Sequence, residues 1–114
     1  MKGNNLFFMG YVYLICDPST DHFKIGVTRD IKSNRIKKLQ TGNSTELFIR
    51  HIYKTPWPFR LETLLHNYYR NKQVLNEWFA LDSEDVLGFE TRCRTLEQTI
   101  RDLHDNPWFS KDLK

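Results

Sequence analysis

Two β-prone segments set the architecture of this chain: Gly10-Tyr11-Val12-Tyr13-Leu14-Ile15-Cys16 and, after the turn-prone Asp17-Pro18-Ser19-Thr20-Asp21, His22-Phe23-Lys24-Ile25-Gly26-Val27-Thr28. Both segments are rich in tyrosine, valine, isoleucine and phenylalanine, which favour strands, and the residues between them favour turns. The sequence therefore predicts an antiparallel hairpin, with tyrosines on the first strand and a lysine on the second.

The remaining pattern predicts an α+β fold. In chain order it indicates a helix from Asp30 to about Gln40, a strand from Leu47 to Lys54, a helix from about Phe59 to Asn71, and a short strand or buried turn from Asn76 to Leu81. Asp30 is a favourable N-cap, while Pro56 and Pro58 can end the strand and begin the helix that follows. We expect a small three-stranded antiparallel sheet flanked by helices.

The last helix has the clearest periodicity. Its apolar residues recur every three or four positions and form one stripe: Val86, Phe89, Cys93, Leu96, Ile100 and Leu103. Ser83 can serve as the N-cap, and two acids in the first turn favour the helix dipole. We interpret this amphipathic helix as structural support. The chain is then one domain over 1–114, with a core at about 10–104 and a loose tail over 105–114.

Length and composition restrict the class of protein. The 114 residues suit one compact domain. No apolar run approaches the roughly 20 residues that a membrane-spanning helix needs, and residues 1–5 lack the features of a secretory signal. We therefore expect a cytoplasmic protein with no membrane partner. Cys16 and Cys93 have no zinc-ligand spacing, and we interpret both as buried thiols.

The net charge of +3 conceals an uneven distribution. Between positions 24 and 54 eight Lys or Arg residues oppose two acids, whereas between 77 and 114 five oppose nine. A basic segment of this kind is a candidate footprint for a polyanion, and the acidic end should face elsewhere.

The predicted hairpin carries residues that suit phosphodiester chemistry. Tyr11 and Tyr13 share one face of a strand, as sheet-packing aromatics or as hydroxyls that position or deprotonate an attacking water. Lys24 interrupts an apolar strand, either as a surface lysine or as a phosphate contact. Gly26 indicates a close backbone approach or a bulge on the same face.

The predicted helices add a cation and a carboxylate. Arg35 lies within the apolar stripe of its helix and needs an anionic partner, which is either a structural acid such as Glu62 or a bound phosphate. Glu62 borders the apolar face of the next helix, where it is suited to a hard divalent cation with several waters. His66 is a proton-handling or a packing histidine. A transition-metal site shared with Glu62 lacks a third ligand in the sequence.

Together these residues resemble the GIY-YIG endonuclease superfamily, in particular its compact phage and viral branch. The matching segments are Tyr11-Val12-Tyr13, Lys24-Ile25-Gly26-Val27-Thr28, Arg35, Glu62 to His66, and Glu77-Trp78-Phe79. The resemblance covers about 10–86 and implies a three-stranded antiparallel sheet with flanking helices in the order β-β-α-β-α. Many members have tyrosine where this chain has Lys24, and Gly-Ile where it has Tyr11-Val12, so both tyrosines are candidates for the tyrosine role.

The resemblance implies a metal-dependent DNA endonuclease that hydrolyses phosphodiester bonds with one Mg²⁺ or Mn²⁺. Glu62 would hold the ion, Arg35 would neutralise the phosphate, and Tyr13 would steer or activate the water. Lys24 would assist the tyrosine or contact the phosphate. Sequence-independent affinity for the DNA backbone would come from five cations: Lys32, Lys37, Lys38, Arg50 and Lys54.

Two other classes also fit the sequence. A DNA-binding or adaptor module that retains the fold without cutting would bind DNA without a divalent ion. A protein-interaction domain presenting exposed tryptophans would have no affinity for nucleic acid. Retention of all four reactive residue types favours the endonuclease. The sequence leaves open the DNA target and whether the chain acts alone, as a homodimer or with a partner protein.

Overall fold

The computed structural model describes residues 9–30 and 46–105. Within these ranges five strands form one antiparallel sheet in the spatial order β3-β1-β2-β5-β4: β1 (Gly10–Asp17), β2 (His22–Thr28), β3 (Phe48–Thr55), β4 (Gln73–Leu75) and β5 (Trp78–Phe79). The described helices are α1 (Pro58–Tyr68), α2 (Ser83–Leu87) and α3 (Phe89–Asp105), with a 3₁₀ turn at Arg70–Lys72. The α+β class is confirmed. None of these helices has the length and apolarity that crossing a membrane requires.

Several predictions fall on other parts of the chain. The helix from Asp30 to Gln40 and the tail after Asp105 lie outside the described residues. So do four predicted site residues: Lys32, Arg35, Lys37 and Lys38. These remain predictions.

The predicted sheet of three strands is corrected to five within the described ranges. The additional strands are short: β5 pairs with β2 at only two positions, and β4 pairs with the other edge of β5. Segments of two or three residues carry little intrinsic preference for a strand, because what stabilises them is packing against their neighbours. β4 and β5 therefore form because β2 is there to pair with, and not because of the strand preference of their own residues.

The β1–β2 hairpin matches its prediction closely. The two strands pair antiparallel from Tyr11 with Thr28 to Asp17 with His22. In the turn the N–H of Asp21 donates to the carbonyl oxygen of Asp17 at 2.8 Å, and Asp21 adopts a φ of 61°. Aspartate tolerates this left-handed conformation better than most residues, so the polar turn closes the hairpin.

The two faces of the sheet have different roles. Val12 and Leu14 of β1 belong to the hydrophobic core, together with apolar residues of β2, α1 and α3. Alternate residues of β1 point to the opposite face. Directly paired residues share a face of a sheet, so β1, β2 and β3 there carry Tyr11, Tyr13, Lys24, Gly26 and Lys54. We call this the tyrosine face.

The predicted last helix is two helices. α2 and α3 are separated at Gly88, whose N–H donates to the carbonyl oxygen of Glu84 at 2.9 Å. The N-cap is Asp82 and not the predicted Ser83, since Asp82 and Asp85 form a reciprocal capping box. The apolar stripe is largely confirmed by burial of Phe89, Cys93 and Ile100, whereas Leu103 is exposed.

Candidate active site

Tyr13 and Gly26 meet on the tyrosine face. They are cross-strand partners, and the Tyr13 side chain is fully buried. A Cβ added at Gly26 would lie 2.5 Å from Cζ of Tyr13 and closer still to its hydroxyl, so glycine is what leaves room for the ring. This is the close approach that the sequence indicated at Gly26.

The Tyr13 hydroxyl is buried without a hydrogen-bond partner in the described part of the chain. Leaving a buried polar group unpaired costs about 1–3 kcal/mol. Such groups are rare in native proteins and are explained by strain, a bound water or ion, or a catalytic role. Tyr11, two residues earlier on the same face, is half-buried.

Lys24 is held by an ion pair. Its Nζ lies 2.8 Å from Oε1 of Glu77, and only 13% of the Lys24 side chain is exposed. The backbone N–H of Ile25 also donates to the carbonyl oxygen of Glu77 at 3.0 Å. The ring centre of Trp78 lies 5.8 Å from the same Nζ. Lys24 is therefore a fixed, mostly buried ammonium and not a mobile surface lysine.

Helix α1 carries Glu62 and His66 onto β2. The Nε2 of His66 lies 2.9 Å from the carbonyl oxygen of Ile25, and its ring packs against Phe79 with centroids 5.0 Å apart. A carbonyl oxygen only accepts, so Nε2 is the protonated donor nitrogen. An oxygen of Glu62 lies 3.9 Å from that nitrogen, and the Glu62 side chain is 17% exposed. His66 thus packs between α1 and β2, beside the carboxylate.

Three consecutive residues of β2 carry or contact the candidates, on alternating faces of the sheet. Lys24 lies on the strand, His66 of α1 is bound at Ile25, and Tyr13 of β1 lies against Gly26. Residues up to 53 positions apart in the chain thus contact neighbouring residues of one strand, Tyr13 on the tyrosine face and α1 on the core face. Of the predicted catalytic set, only Arg35 lies outside the described ranges.

The fit to a divalent ion depends on which ion is considered. No group of three or more His, Cys, Asp or Glu residues suited to a metal occurs among the residues described. A structural zinc site needs four ligands, and the Nε2 of His66 is already engaged with Ile25. Mg²⁺ instead keeps several waters and uses one or two carboxylates plus phosphate oxygens. The mostly buried carboxylate of Glu62 fits this description of a Mg²⁺ ligand.

Two predicted DNA-binding residues lie in different surroundings. Lys54 is exposed and pairs with Tyr11 across β1 and β3, so it lies on the tyrosine face. Arg50 falls at the register shift of β3 and lines a cavity of about 430 Å³ with Asp21 and Asp82. Only Lys54 is therefore grouped with the tyrosines.

Two groups with raised pKa values, Tyr53 and Cys93, belong to the packing of α3 on β3. Burial, together with the hydrogen bond that its hydroxyl donates to Oε1 of Glu97 at 2.5 Å, raises the pKa of Tyr53. Burial raises the pKa of the Cys93 thiol to about 12. Cys93 is fully buried as predicted, while Cys16 is only half-buried. These residues stabilise the helix face of the sheet and lie apart from the tyrosine face.

Glu77 and Trp78 contact Lys24, and reasoning from individual residues did not connect them to the candidate site. The sequence connected them to it through the segment that resembles a known family. The Lys24–Glu77 pair joins residues 53 positions apart, so neither periodicity nor local spacing could reveal it. The usable signal was a lysine in an apolar strand, because a buried ammonium requires a carboxylate nearby.

The chain matches a known protein family over most of its length. The family model described as T5orf172 domain matches residues 10–103. No curated protein and no solved structure matches the chain. The match spans every described strand and helix except the last two residues of α3.

Proposed function

The chain belongs to the T5orf172 domain family, a phage-associated, nuclease-like family related to the GIY-YIG domains, and from this membership we propose that it is a DNA endonuclease. It hydrolyses phosphodiester bonds with the help of one Mg²⁺ or Mn²⁺. The observation that carries the proposal is the clustering at three consecutive residues of β2: Lys24 and Gly26, which contacts Tyr13, lie on the tyrosine face. Between them, His66 of α1 contacts the carbonyl oxygen of Ile25, with Glu62 beside it.

Each group has a distinct part in the proposed reaction. Lys24 donates a hydrogen bond to the phosphate and offsets its charge. Arg35 has the same part, as the family resemblance implies. A tyrosine hydroxyl on the tyrosine face orients the attacking water. His66 fixes α1 against β2, which positions the Glu62 carboxylate to hold the divalent ion. The ion supplies Lewis-acid stabilisation of the phosphate when it is bound.

The unpaired hydroxyl and the carboxylate both support this assignment. A purely DNA-binding surface gains nothing from a carboxylate beside its cations, since the carboxylate repels phosphate unless a cation intervenes. A packing tyrosine would equally gain nothing from a hydroxyl without a partner, because phenylalanine fills the same space at no such cost. Both features have a use in hydrolysis.

One observation favours a second candidate function, a DNA-binding or adaptor module that does not cut. The Tyr13 side chain is fully buried, so its hydroxyl does not contact solvent in the described arrangement. If the reaction needs an accessible phenol, Tyr11 is the alternative on the same face. If neither tyrosine matters, DNA binding without cleavage is the better description.

Plasmid cleavage tests the endonuclease proposal. Supercoiled DNA is incubated with the wild type, Glu62→Ala and Arg35→Ala in Mg²⁺, Mn²⁺ or EDTA. We expect ion-dependent nicking or linearisation that falls by about a hundredfold or more in both variants, because each removes transition-state stabilisation. Matched controls are Glu84→Ala, an exposed acid of α2, and Arg94→Ala, whose side chain is 72% exposed.

The adaptor alternative predicts the opposite result, DNA binding without cleavage. Wild-type protein that cuts in no ion, yet binds DNA equally well in EDTA, would replace the endonuclease proposal with DNA binding alone. Cutting that persists unchanged in Glu62→Ala would instead exclude Glu62 as the residue that holds the ion.

A further inference from the structure

Glu77 is tied to β2 twice. Its carboxylate accepts from Nζ of Lys24 at 2.8 Å, and its carbonyl oxygen accepts from the N–H of Ile25 at 3.0 Å. Asn76, just before it in the β4–β5 turn, adopts a φ of 52°, a conformation that asparagine tolerates well. The turn therefore presents Glu77 to Lys24 from a defined position, and the ammonium has little freedom.

The negative charge of Glu77 has two opposing effects on the binding of an anionic ligand at Lys24. The Lys24 side chain is 13% exposed, and a charge that is mostly buried requires compensation. Glu77, with a third of its side chain exposed, supplies it. The same negative charge repels a DNA phosphate that approaches the ammonium. Ordering of Lys24 and weaker binding of phosphate thus come from one carboxylate.

We propose that Glu77 is a positioning residue for the phosphate contact of Lys24, fixing the ammonium for turnover while weakening the binding of DNA. This inference rests on the proposed function, because it takes Lys24 to be the residue that meets the scissile phosphate. Glu77 itself contacts neither the phosphate nor the attacking water.

The substitution that tests this is Glu77→Gln, which keeps the shape and an acceptor oxygen but removes the charge. We expect DNA affinity to rise about three- to tenfold, because a nearby like charge is lost. We expect turnover to fall about ten- to a hundredfold, because a displaced catalytic group loses alignment. A residue that only stabilised the fold would produce neither tighter binding nor this opposite pair of changes.

The matched control is Glu90→Gln. Glu90 is also ion-paired, with His51 and Arg94, and its side chain is 36% exposed against 33% for Glu77. It lies on α3, away from the tyrosine face, so its loss changes the net charge equally without touching Lys24. We expect its affinity and turnover to stay within about twofold of the wild type, since distant charges are screened by salt.

Two further variants keep the inference open to refutation. Glu77→Asp retains the charge but has a shorter side chain, so turnover should fall while DNA affinity stays within about twofold of the wild type. This variant also tests the positioning role if thermal melting shows that Glu77→Gln is poorly folded. In a Lys24→Gln background, Glu77→Gln should have no additional effect on turnover, because it acts through the ammonium.

The outcomes separate the two proposals. An active wild type in which Glu77→Gln behaves like Glu90→Gln, or loses affinity along with turnover, overturns the positioning role. A wild type that cleaves in no ion overturns the endonuclease instead. In that case the affinities measured in EDTA still decide whether Glu77 opposes phosphate at Lys24.

Discussion

Tyr13 is the residue at which packing and chemistry make opposite demands. Its buried hydroxyl has no partner among the described residues, so Tyr13→Phe should leave the free energy of unfolding unchanged or raise it by about 1 kcal/mol. The same change should reduce cleavage by about a hundredfold if the hydroxyl orients the water. Urea unfolding and plasmid cleavage on one preparation measure both quantities.

Tyr53→Phe is the matched control for this prediction. Its hydroxyl donates to Glu97 at 2.5 Å, so its removal should destabilise the protein by about 1–3 kcal/mol and leave cleavage unaffected once the folded fraction is corrected. If Tyr13→Phe retained full activity, Tyr13 would be a packing residue, and Tyr11 would become the candidate hydroxyl.

At the scale of single elements, the sequence predicted what depends on local chemistry. The β1–β2 hairpin was predicted to within one residue, since alternation and turn residues act over a few positions. β4 and β5 were not separable from a buried turn, because strands of two or three residues exist through pairing with β2. The break at Gly88 was not predicted: the apolar stripe continues across it, although glycine is a poor helix residue.

In the candidate site, too, individual residues were predictable from the sequence, whereas the contacts between them were not. Tyr13, Lys24 and Glu62 were identified from residue type and spacing, and Gly26 from the expectation of a close approach. The distance between Lys24 and Glu77, and the bond from His66 to Ile25, depend on how α1 and the β4–β5 turn pack on β2. Contacts of that kind arise from tertiary structure, so a linear pattern does not contain them.

The packing of α3 gives the protein a predictable sensitivity to alkaline pH. The pKa of the Cys93 thiol is about 12 in the folded chain, against an ordinary value of 9.0, and burial is the main cause. An unfolded chain therefore releases this proton at lower pH than the folded one. The contribution of Cys93 to stability should be constant below about pH 9 and should decline between about pH 9 and 12. The raised pKa of Tyr53 adds a loss of stability in the same direction.

Cys93→Ala isolates the contribution of the thiol. The variant should be less stable at neutral pH, since a buried side chain is shortened, but its free energy of unfolding should fall less steeply above about pH 9. Urea unfolding at several pH values gives both slopes. Equal slopes in the wild type and the variant would mean that the folded thiol ionises as freely as the unfolded one.

At the scale of the whole molecule, the described residues place the acids of α3 and two lysines on opposite faces of the sheet. The acids Glu90 and Glu97 lie on α3, where they bond His51, Arg94, Tyr53 and Arg101. The tyrosine face carries Lys24 and Lys54 on the opposite side of the sheet. DNA should therefore approach the tyrosine face, and the outer surface of α3 should contribute little to binding.

The dependence of DNA binding on salt tests this division of charge with two single substitutions. Each phosphate contact contributes about 0.9 to the slope of log K against log salt. Lys54→Ala should reduce the slope by about that amount, because Lys54 is exposed on the tyrosine face. Arg50→Ala should leave it unchanged, since Arg50 lines a cavity with Asp21 and Asp82, whose charges oppose an approaching phosphate. Fluorescence anisotropy with a labelled duplex at four salt concentrations measures both, and equal losses would place the DNA across β3 and not on one face of the sheet.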